Sequence, residues 1–224
     1  MKKTIGIIGL GRFGLELLER LVELNIDVIG IDNNEELVKH ASEFSSNVFI
    51  ADATNEKALK DCGITNCDNV IICMGQDHIN NLTNIILIII KLKQLGVKQI
   101  TARSDKEDYI ETLKLVGATN IISPLSIAAE RLANKFAFQN VVDYFNIKND
   151  YDVYEVHIDE NFKSIPITEL SLRSKYKMNI LLIERNKDVI FPTSLDYLNP
   201  NDNIFIFGRK KDLPKVVDFF TKNL

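Results

Sequence analysis

Short apolar runs alternate with amphipathic, helix-like segments along the first half of the chain. Near-continuous Val and Ile runs are typical of parallel strands covered on both faces, and their alternation with helical patterns is typical of βαβ units. The pattern therefore predicts an α/β fold with a Rossmann-like doubly wound sheet of about six parallel strands. The predicted strands are residues 4–8, 27–31, 48–51, 69–73, 99–102 and 120–122. The predicted helices between them are residues 13–24, 56–62, 78–95 and 106–115.

The pattern changes after Pro124. One more helix is predicted at residues 124–138, and no further strand of the same sheet follows it. From Tyr151 the runs DVYEVHI, MNILLIE, DVIF and NIFIFG read as short strands, with a turn at Pro166 and a final helix over 213–224. We therefore predict two domains: residues 1–139, which include the 124–138 helix, and a small α+β domain at residues 140–224.

Composition and charge indicate a soluble globular protein and narrow the classes of partner. Apolar residues make up 46% of the chain and charged residues 26%, so a core can be buried. The net charge of −4 provides no basic face, and no nucleic-acid partner is expected. The apolar run at 85–90 is far shorter than the roughly 20 residues that span a bilayer, and glycines interrupt the amino terminus before a signal peptide could form. These features predict a cytoplasmic protein.

The glycine loop GLGRFG follows the first predicted strand and opens an amphipathic helix. Gly9 permits a tight turn, Gly11 lets backbone N–H groups approach a pyrophosphate, and Gly14 lets the helix pack close to the strand. The positive end of the helix dipole faces the same phosphates. Asp32 ends the second strand about 20 residues on, where its carboxylate would accept the ribose hydroxyls. The loop and this acid together predict a nucleotide-binding domain.

Asp32 also limits which class of nucleotide the domain is expected to bind. No arginine follows Asp32 directly, which disfavours a 2′-phosphate and favours an adenine nucleotide such as NAD or ATP over NADP. Arg12, inside the loop, either reaches a phosphate oxygen or is a solvated arginine at the helix start. Asp52, in the segment ADAT, either accepts the adenine amino group or caps the helix that begins near Asn55. The residues leave both pairs of roles open.

The sequence shows no set of residues with the pattern of a catalytic site. Of the three histidines, His40 and His78 are expected at exposed helix positions and His157 in the first strand of the second domain, without a nucleophile and carboxylate beside them. The cysteines cannot all pair with one another and lack the C-x-x-C spacing of metal or redox sites, so reduced thiols are expected. The cysteines are Cys62, Cys67 and Cys73. No catalytic residue, no metal site and no enzymatic activity are predicted.

Several segments taken in order resemble the RCK family, the regulators of potassium conductance. They are GLGRFG, Asp32, ADAT, NVIICMG and the stretch from ITELSLRSKYKMNILLIE to NIFIFG. Together they are similar to the cytoplasmic gating subunits of Trk/Ktr-type bacterial potassium-uptake systems, over essentially the whole chain. The resemblance implies that the amino-terminal domain binds ATP/ADP or NAD/NADH. The implied nucleotide-binding residues are Gly9, Gly11, Arg12, Phe13, Gly14, Asp32, Asn33, Asp52, Ala53, Thr54, Met74, Gly75 and Arg103.

The resemblance also implies an assembly. The family forms homodimers that join into an octameric ring on a membrane-embedded ion-translocating subunit, which would place the chain at the inner face of the cell membrane. The helix after Pro124 would be a crossover helix exchanged between partners, whose apolar residues Ile127, Leu132 and Phe136 need a second surface. The alternative is that this helix packs on its own sheet.

Some members of the family bind cyclic di-adenosine monophosphate (cyclic di-AMP) in the carboxy-terminal domain. Arg173 would pair with phosphate and the apolar residues would flank the adenines; the alternative is that the apolar residues only form core. The matching positions are Ile165, Ile167, Arg173, Asn179, Ile180 and Pro192.

One position departs from the family pattern. Many nucleotide-gated members carry a glutamate directly after the proline that opens the crossover helix, where it helps to coordinate a cation. This chain has Leu125 there, and leucine cannot ligate a cation. Either another carboxylate takes the place of this glutamate or the control by ligands differs from that of metal-assisted members. The sequence predicts a ligand-sensing regulatory subunit of a potassium-uptake system. The alternatives are an NAD-dependent oxidoreductase and a nucleotide-binding regulator of another cation transporter.

Overall fold

The computed structural model describes residues 3–75, 79–137, 140–148 and 150–221. Several predictions touch positions outside these ranges, among them the end of the 124–138 helix at residue 138. His78, the predicted start of the long helix, Gln139, the predicted end of the first domain, and Leu224, the predicted end of the last helix, lie outside the described residues.

The chain divides into two compact units, the first up to Ser126 and the second from Ile127. The first unit is a six-stranded, fully parallel sheet in the order β3-β2-β1-β4-β5-β6. This is the strand order of the Rossmann fold, which confirms the predicted doubly wound sheet. The strands are β1 (Thr4–Ile8), β2 (Asp27–Asp32), β3 (Val48–Ile50), β4 (Asn69–Ile72), β5 (Ile100–Arg103) and β6 (Asn120–Ile122). The helices are α1 (Arg12–Glu23), α2 (Glu35–Ala41), α3 (Glu56–Asp61), α4 (Ile79–Gln94), α5 (Glu107–Val116) and α6 (Pro124–Ala137), which begins in the first unit.

Burial explains why these runs form strands and helices. Ile7, Val70 and Ile72 are completely buried in the central strands, as expected for a sheet covered on both faces. Helix α2 was not predicted, although its start carries a clear signal. Asn34 caps it by accepting a hydrogen bond from the Glu36 amide at 2.9 Å.

The second unit is an α+β structure, as predicted. Its five-stranded sheet has the order β11-β10-β13-β8-β7 with antiparallel neighbours, and a separate two-stranded pair joins β12 to β9. The strands are β7 (Val141–Lys148), β8 (Tyr151–His157), β9 (Ile165–Pro166), β10 (Asn179–Arg185), β11 (Asp188–Ile190), β12 (Tyr197–Leu198) and β13 (Asn203–Arg209). The helices are α7 (Ile167–Leu170), α8 (Leu172–Tyr176) and α9 (Leu213–Thr221).

The sequence-based description of this sheet was wrong in one respect. The pattern predicts a first strand from Tyr151, but β7 precedes it, so His157 ends the second strand of the unit rather than the first. One face of the sheet is buried with α9, where Tyr154, Val216 and Phe220 belong to a single hydrophobic core. Asp202, directly before β13, is buried and is paired with Arg185, whose Nε lies 2.8 Å from Asp202 Oδ1.

Helix α6 exposes the apolar side chains that were expected to need a second surface. Leu125 is 61% exposed and Phe136 is 81% exposed, and Ile127 and Leu132 are also exposed. The division into units falls inside this helix, whereas the predicted boundary lies at residue 139. Because Gln139 lies outside the described residues, that boundary stays a prediction.

The cysteines are all free thiols in this structure. Cys67 and Cys73 are buried, and burial raises the pKa of Cys67 to about 11 and that of Cys73 to about 12. Cys62 is half-buried, and burial also raises its pKa. Within the described residues, no helix combines the length and the apolar character needed to cross a bilayer.

Candidate functional site

The glycine loop connects β1 to α1 and has the geometry that a phosphate cradle requires. Gly9 has a φ of +94°, in the left-handed region that favours glycine, and its N–H donates to the carbonyl oxygen of Ile31 at 2.8 Å. A Cβ on Gly14 would overlap the carbonyl oxygen of Gly9, so the start of α1 lies against the turn itself. A Cβ on Gly11 would meet nothing within 4 Å, which leaves open space beside the loop.

Helix α1 presents free donors to that open space. Gly11 is its N-cap and has no side chain that could bond to the first N–H groups. The first four N–H groups of a helix have no partner within the helix, and here the dipole adds positive potential at the same end. Arg12, the first residue of the helix, is exposed beside the loop. This end of α1 can therefore receive an anion such as a phosphate.

The Asp32 carboxylate is held in place at the carboxyl end of β2. Its Oδ2 accepts from the Leu10 amide at 2.7 Å and its Oδ1 accepts from the Asn34 amide at 2.9 Å. Each oxygen keeps further acceptor capacity for a ligand hydroxyl. The bond to Leu10 ties the acid to the glycine loop, so the two predicted elements form one structure.

Asp52 shapes a turn after β3 and does not cap α3. Its Oδ1 accepts from the Thr54 hydroxyl at 2.7 Å and from the Thr54 amide at 2.8 Å, and these bonds lower the pKa of the Asp52 carboxyl. The cap of α3 is Asn55, whose Oδ1 accepts from the Lys57 amide at 2.9 Å. The Lys91 ammonium, on α4, donates to the Thr54 carbonyl oxygen. Of the two roles left open for Asp52, the structure therefore excludes the cap and leaves an ionised acceptor.

These elements surround one cleft at the carboxyl ends of the strands, where ligands bind in doubly wound sheets. The predicted site residues that line it are Gly9, Asp32, Asn33, Asp52, Ala53, Thr54 and Met74. Residues that the sequence reasoning missed complete it: Ile8, Ile31, Ala51, Asn84 and Ile88. The available signal for Asn84 was a polar residue directly before the apolar run 85–90 of α4.

The remaining predicted residues lie beside this cleft or in the glycine loop. The Arg103 guanidinium lies 5.5 Å from the centre of the Phe13 ring, and its Nε donates to Asp105 Oδ2 at 2.7 Å. The Gly75 carbonyl oxygen accepts from Asn81 Nδ2 at 3.0 Å. Gly11, Arg12 and Gly14 form the loop described above.

The start of α6 carries Leu125 at the position of the family's glutamate, and this side chain is exposed. In the part of the chain that the structure describes, no group of three or more His, Cys, Asp or Glu side chains is arranged to hold a metal ion. His40 is exposed on α2, and His157 Nδ1 lies 2.8 Å from Asn203 Oδ1 on β13.

A second cleft of about 820 Å³ lies in the second unit. Arg173 Nε donates to Asn179 Oδ1 at 2.6 Å, which fixes the guanidinium at its wall. The predicted residues that line this cleft are Ile167, Arg173, Asn179, Ile180 and Pro192. Ile165 does not line it and packs against the core, as Ile167 and Ile180 also do in part. Sequence reasoning missed the polar lining, which includes Thr168, Ser171, Lys177 and Thr193.

Comparison with known proteins gives matches along the whole chain. Residues 5–124 match the TrkA-N domain and residues 153–221 match the TrkA-C domain. The chain is 31% identical to the Ktr system potassium uptake protein C of Bacillus subtilis (strain 168) over 216 residues, covering 96% of each chain. It is 29% identical to the Ktr system potassium uptake protein A of the same organism, covering 95% of each.

Solved structures show the same fold. The chain is similar to the GsuK RCK domain with a TM-score of 0.51 and 21% identity, covering 96% of this chain and 45% of that one. It is similar to the GsuK channel bound to NAD with a TM-score of 0.52 and 22% identity, covering 98% and 38%. The chain thus spans less than half the length of these two structures. The TrkA-N domain of the inner membrane protein ybaL from Escherichia coli matches 60% of this chain with a TM-score of 0.52 and 18% identity.

Proposed function

Because this chain belongs to the RCK family, with a TrkA-N domain followed by a TrkA-C domain, we propose that it is the regulatory subunit of a potassium-uptake system. The similarity to two Ktr potassium uptake proteins over nearly their whole length supports this role. The single observation that carries the proposal is the cleft in which the glycine loop, Asp32 and Asp52 converge. It is suited to bind a nucleotide, and its described lining residues include no histidine, serine or cysteine that could act as a nucleophile or base with a carboxylate.

The ligand that fits this cleft is an adenine nucleotide, ATP/ADP or NAD/NADH. The phosphates lie at the start of α1 near Arg12, and the ribose hydroxyls bind Asp32. No arginine follows Asp32, so a 2′-phosphate has no cation there. The base then extends towards Asp52 and Met74, which line the other side of the cleft.

Regulation follows from binding only if two conformations of the assembly differ in affinity for the ligand. Ligands that differ in their phosphates, such as ATP and ADP, differ in their contacts near Arg12, and this supplies the difference. NADH and NAD differ at the nicotinamide end, and different contacts with that end would likewise supply a difference in affinity. The energy that shifts the assembly is limited to that difference in affinity.

The chain pairs with a second copy of itself, and the dimers assemble into an octameric ring. The ring binds a membrane-embedded potassium-translocating subunit. The exposed apolar side chains of α6, Leu132 and Phe136 among them, support a homodimer in which the partner covers this helix. The protein would then lie in the cytoplasm at the inner face of the cell membrane, held there by its membrane partner.

Cyclic di-AMP is proposed as a second ligand, in the cleft of the second unit. The Arg173 guanidinium, oriented by Asn179, is placed for a phosphate, and Ile167, Ile180 and Pro192 supply apolar surface for adenines.

Changing Asp32 to alanine is expected to weaken ATP or NADH binding by about tenfold or more, because a hydrogen bond to a charged group contributes about 1.5–3 kcal/mol. The measurement is isothermal calorimetry of ATP, ADP, NAD and NADH with the purified protein, with light scattering to report assembly size and absorbance to report any NADH turnover. Asp61→Ala, at an exposed aspartate at the end of α3, is the control and should bind like the wild type. Wild-type affinity in Asp32→Ala would remove this cleft as the nucleotide site, and turnover would favour an oxidoreductase.

Changing Arg173 to alanine is expected to lower the affinity for cyclic di-AMP by about tenfold or more, because a charge-assisted phosphate contact is lost. Lys175→Ala is the matched control, since Lys175 is an exposed cation on the same helix that does not line the cleft. Equal binding by the two variants, or no saturable binding by the wild type, would contradict the second ligand.

A further inference from the structure

Asn84 lines the nucleotide cleft because one face of α4 lies against it. Asn84, Ile88 and Lys91 are spaced i, i+4 and i+7, so they lie on one face of the helix. Ile88 lines the cleft, and the Lys91 ammonium donates to the Thr54 carbonyl oxygen. This face of α4 is thereby fixed against the segment that carries Asp52.

The position is unusual for an amide side chain. Ile85, Ile88 and Ile89 are buried, whereas Asn84 is a half-buried polar residue directly before the apolar run 85–90. Among the described residues, no side chain or backbone group bonds to its amide. The amide atoms of Asn84 are open to solvent in the cleft, so a ligand that enters the cleft can replace water as their hydrogen-bond partner.

Asp52 provides a second polar group in the same cleft. Its Oδ1 is occupied by both Thr54 bonds, so Oδ2 remains as a free, charged acceptor. Apolar side chains of Ile31, Met74 and Ile88 line the space with these two polar residues. Apolar walls with a few placed polar groups are what a planar base requires.

We propose that Asn84 reads the base of the bound nucleotide and, with Asp52, makes the cleft selective for adenine over 6-oxopurines. The inference rests on the proposed nucleotide function. An adenine amino group has two hydrogens, one for Asp52 Oδ2 and one for Asn84 Oδ1, while a ring nitrogen accepts from Asn84 Nδ2. A 6-oxopurine would instead turn its O6 acceptor towards the Asp52 carboxylate, which is unfavourable.

The test compares ATP with inosine triphosphate (ITP), because the two differ only at the base edge that these residues would read. Calorimetric affinities are measured for the wild type, Asn84→Ala and Asn84→Leu, with thermal unfolding to verify folding. The wild type is expected to prefer ATP by about tenfold or more, and both variants are expected to lower the ATP-to-ITP affinity ratio about tenfold, the range for a bidentate base contact. Gln94→Ala, which removes an exposed amide from the same helix, should leave the ratio unchanged.

The outcomes separate this inference from the function on which it rests. If the wild type binds ATP but does not prefer it to ITP, or if the variants keep the wild-type ratio, Asn84 does not read the base and the nucleotide function stands. If both variants lose affinity for ATP and for ITP by the same factor, Asn84 contributes to binding without reading the base, and the inference is again wrong. If the wild type binds neither ATP nor ITP, the inference is wrong; if it also binds none of ADP, NAD and NADH, the proposed function fails with it.

Discussion

Replacing Gly14 with alanine is expected to destabilise the first unit by about 3 kcal/mol and to abolish nucleotide binding. The added Cβ would overlap the Gly9 carbonyl oxygen and would also press on Cys73 Cβ at 3.2 Å. Overpacking typically costs about 1–3 kcal/mol, and here the neighbour is backbone, which cannot rotate away. Urea unfolding and ATP calorimetry measure the two effects.

Gly11→Ala is the matched control for the loop. Its Cβ meets nothing within 4 Å and its φ of −63° suits any residue, so the free energy of unfolding should be that of the wild type. Nucleotide affinity should still fall, because the methyl group occupies the space beside the helix start where a phosphate would lie. Equal stability of the Gly14 variant and the wild type would show that the loop is not packed as described.

Replacing Asp202 with alanine is expected to destabilise the second unit by about 2 kcal/mol. Asp202 is 1% exposed and accepts from Arg185 through both carboxylate oxygens, each at 2.8 Å, and from the Asn199 amide at 2.8 Å. Removing one partner of a buried ion pair costs about 3–5 kcal/mol. The expected cost is lower here because the Arg185 side chain is 32% exposed and can turn to water.

The control for this prediction is Glu23→Ala, which breaks an exposed pair with Arg20 on α1. Exposed pairs contribute about 0–1 kcal/mol, so its stability should hardly change. Chemical denaturation followed by circular dichroism compares both variants with the wild type. Equal stabilities of the two variants would mean that the buried pair does not stabilise the second unit.

The parallel sheet of the first unit could be predicted because its strands are nearly continuous apolar runs between helices. Those runs, such as TIGII in β1, carry their signal locally. Strand β7 carried no such signal, because register shifts fall between Val141 and Asp143 and between Asn146 and Lys148. A bulge changes which face the following residues occupy, so a strict alternation of apolar and polar residues is lost.

The same distinction applies to the nucleotide site. Asp32 and Asp52 were predicted because each follows a strand of the sheet, and the ends of parallel strands meet at one edge. Asn84 was missed because its place depends on the rotation of α4 about its own axis, which Ile88 and Lys91 fix through tertiary contacts. Sequence periodicity shows that a helix exists and does not show which neighbour each face meets.

The central position of β1 has a consequence for how the protein is made. β1 leaves the ribosome before the other strands of this sheet but lies between β2 and β4. A Cβ on Gly9 or Gly14 would meet Met74 or Cys73, so the loop is packed against residues synthesised about 60 positions later. A nascent chain can therefore pair β1 with β2 early but cannot complete the glycine loop until β4 has emerged. A nucleotide bound in the proposed cleft would stabilise this unit only after that point in translation, when the cleft is complete.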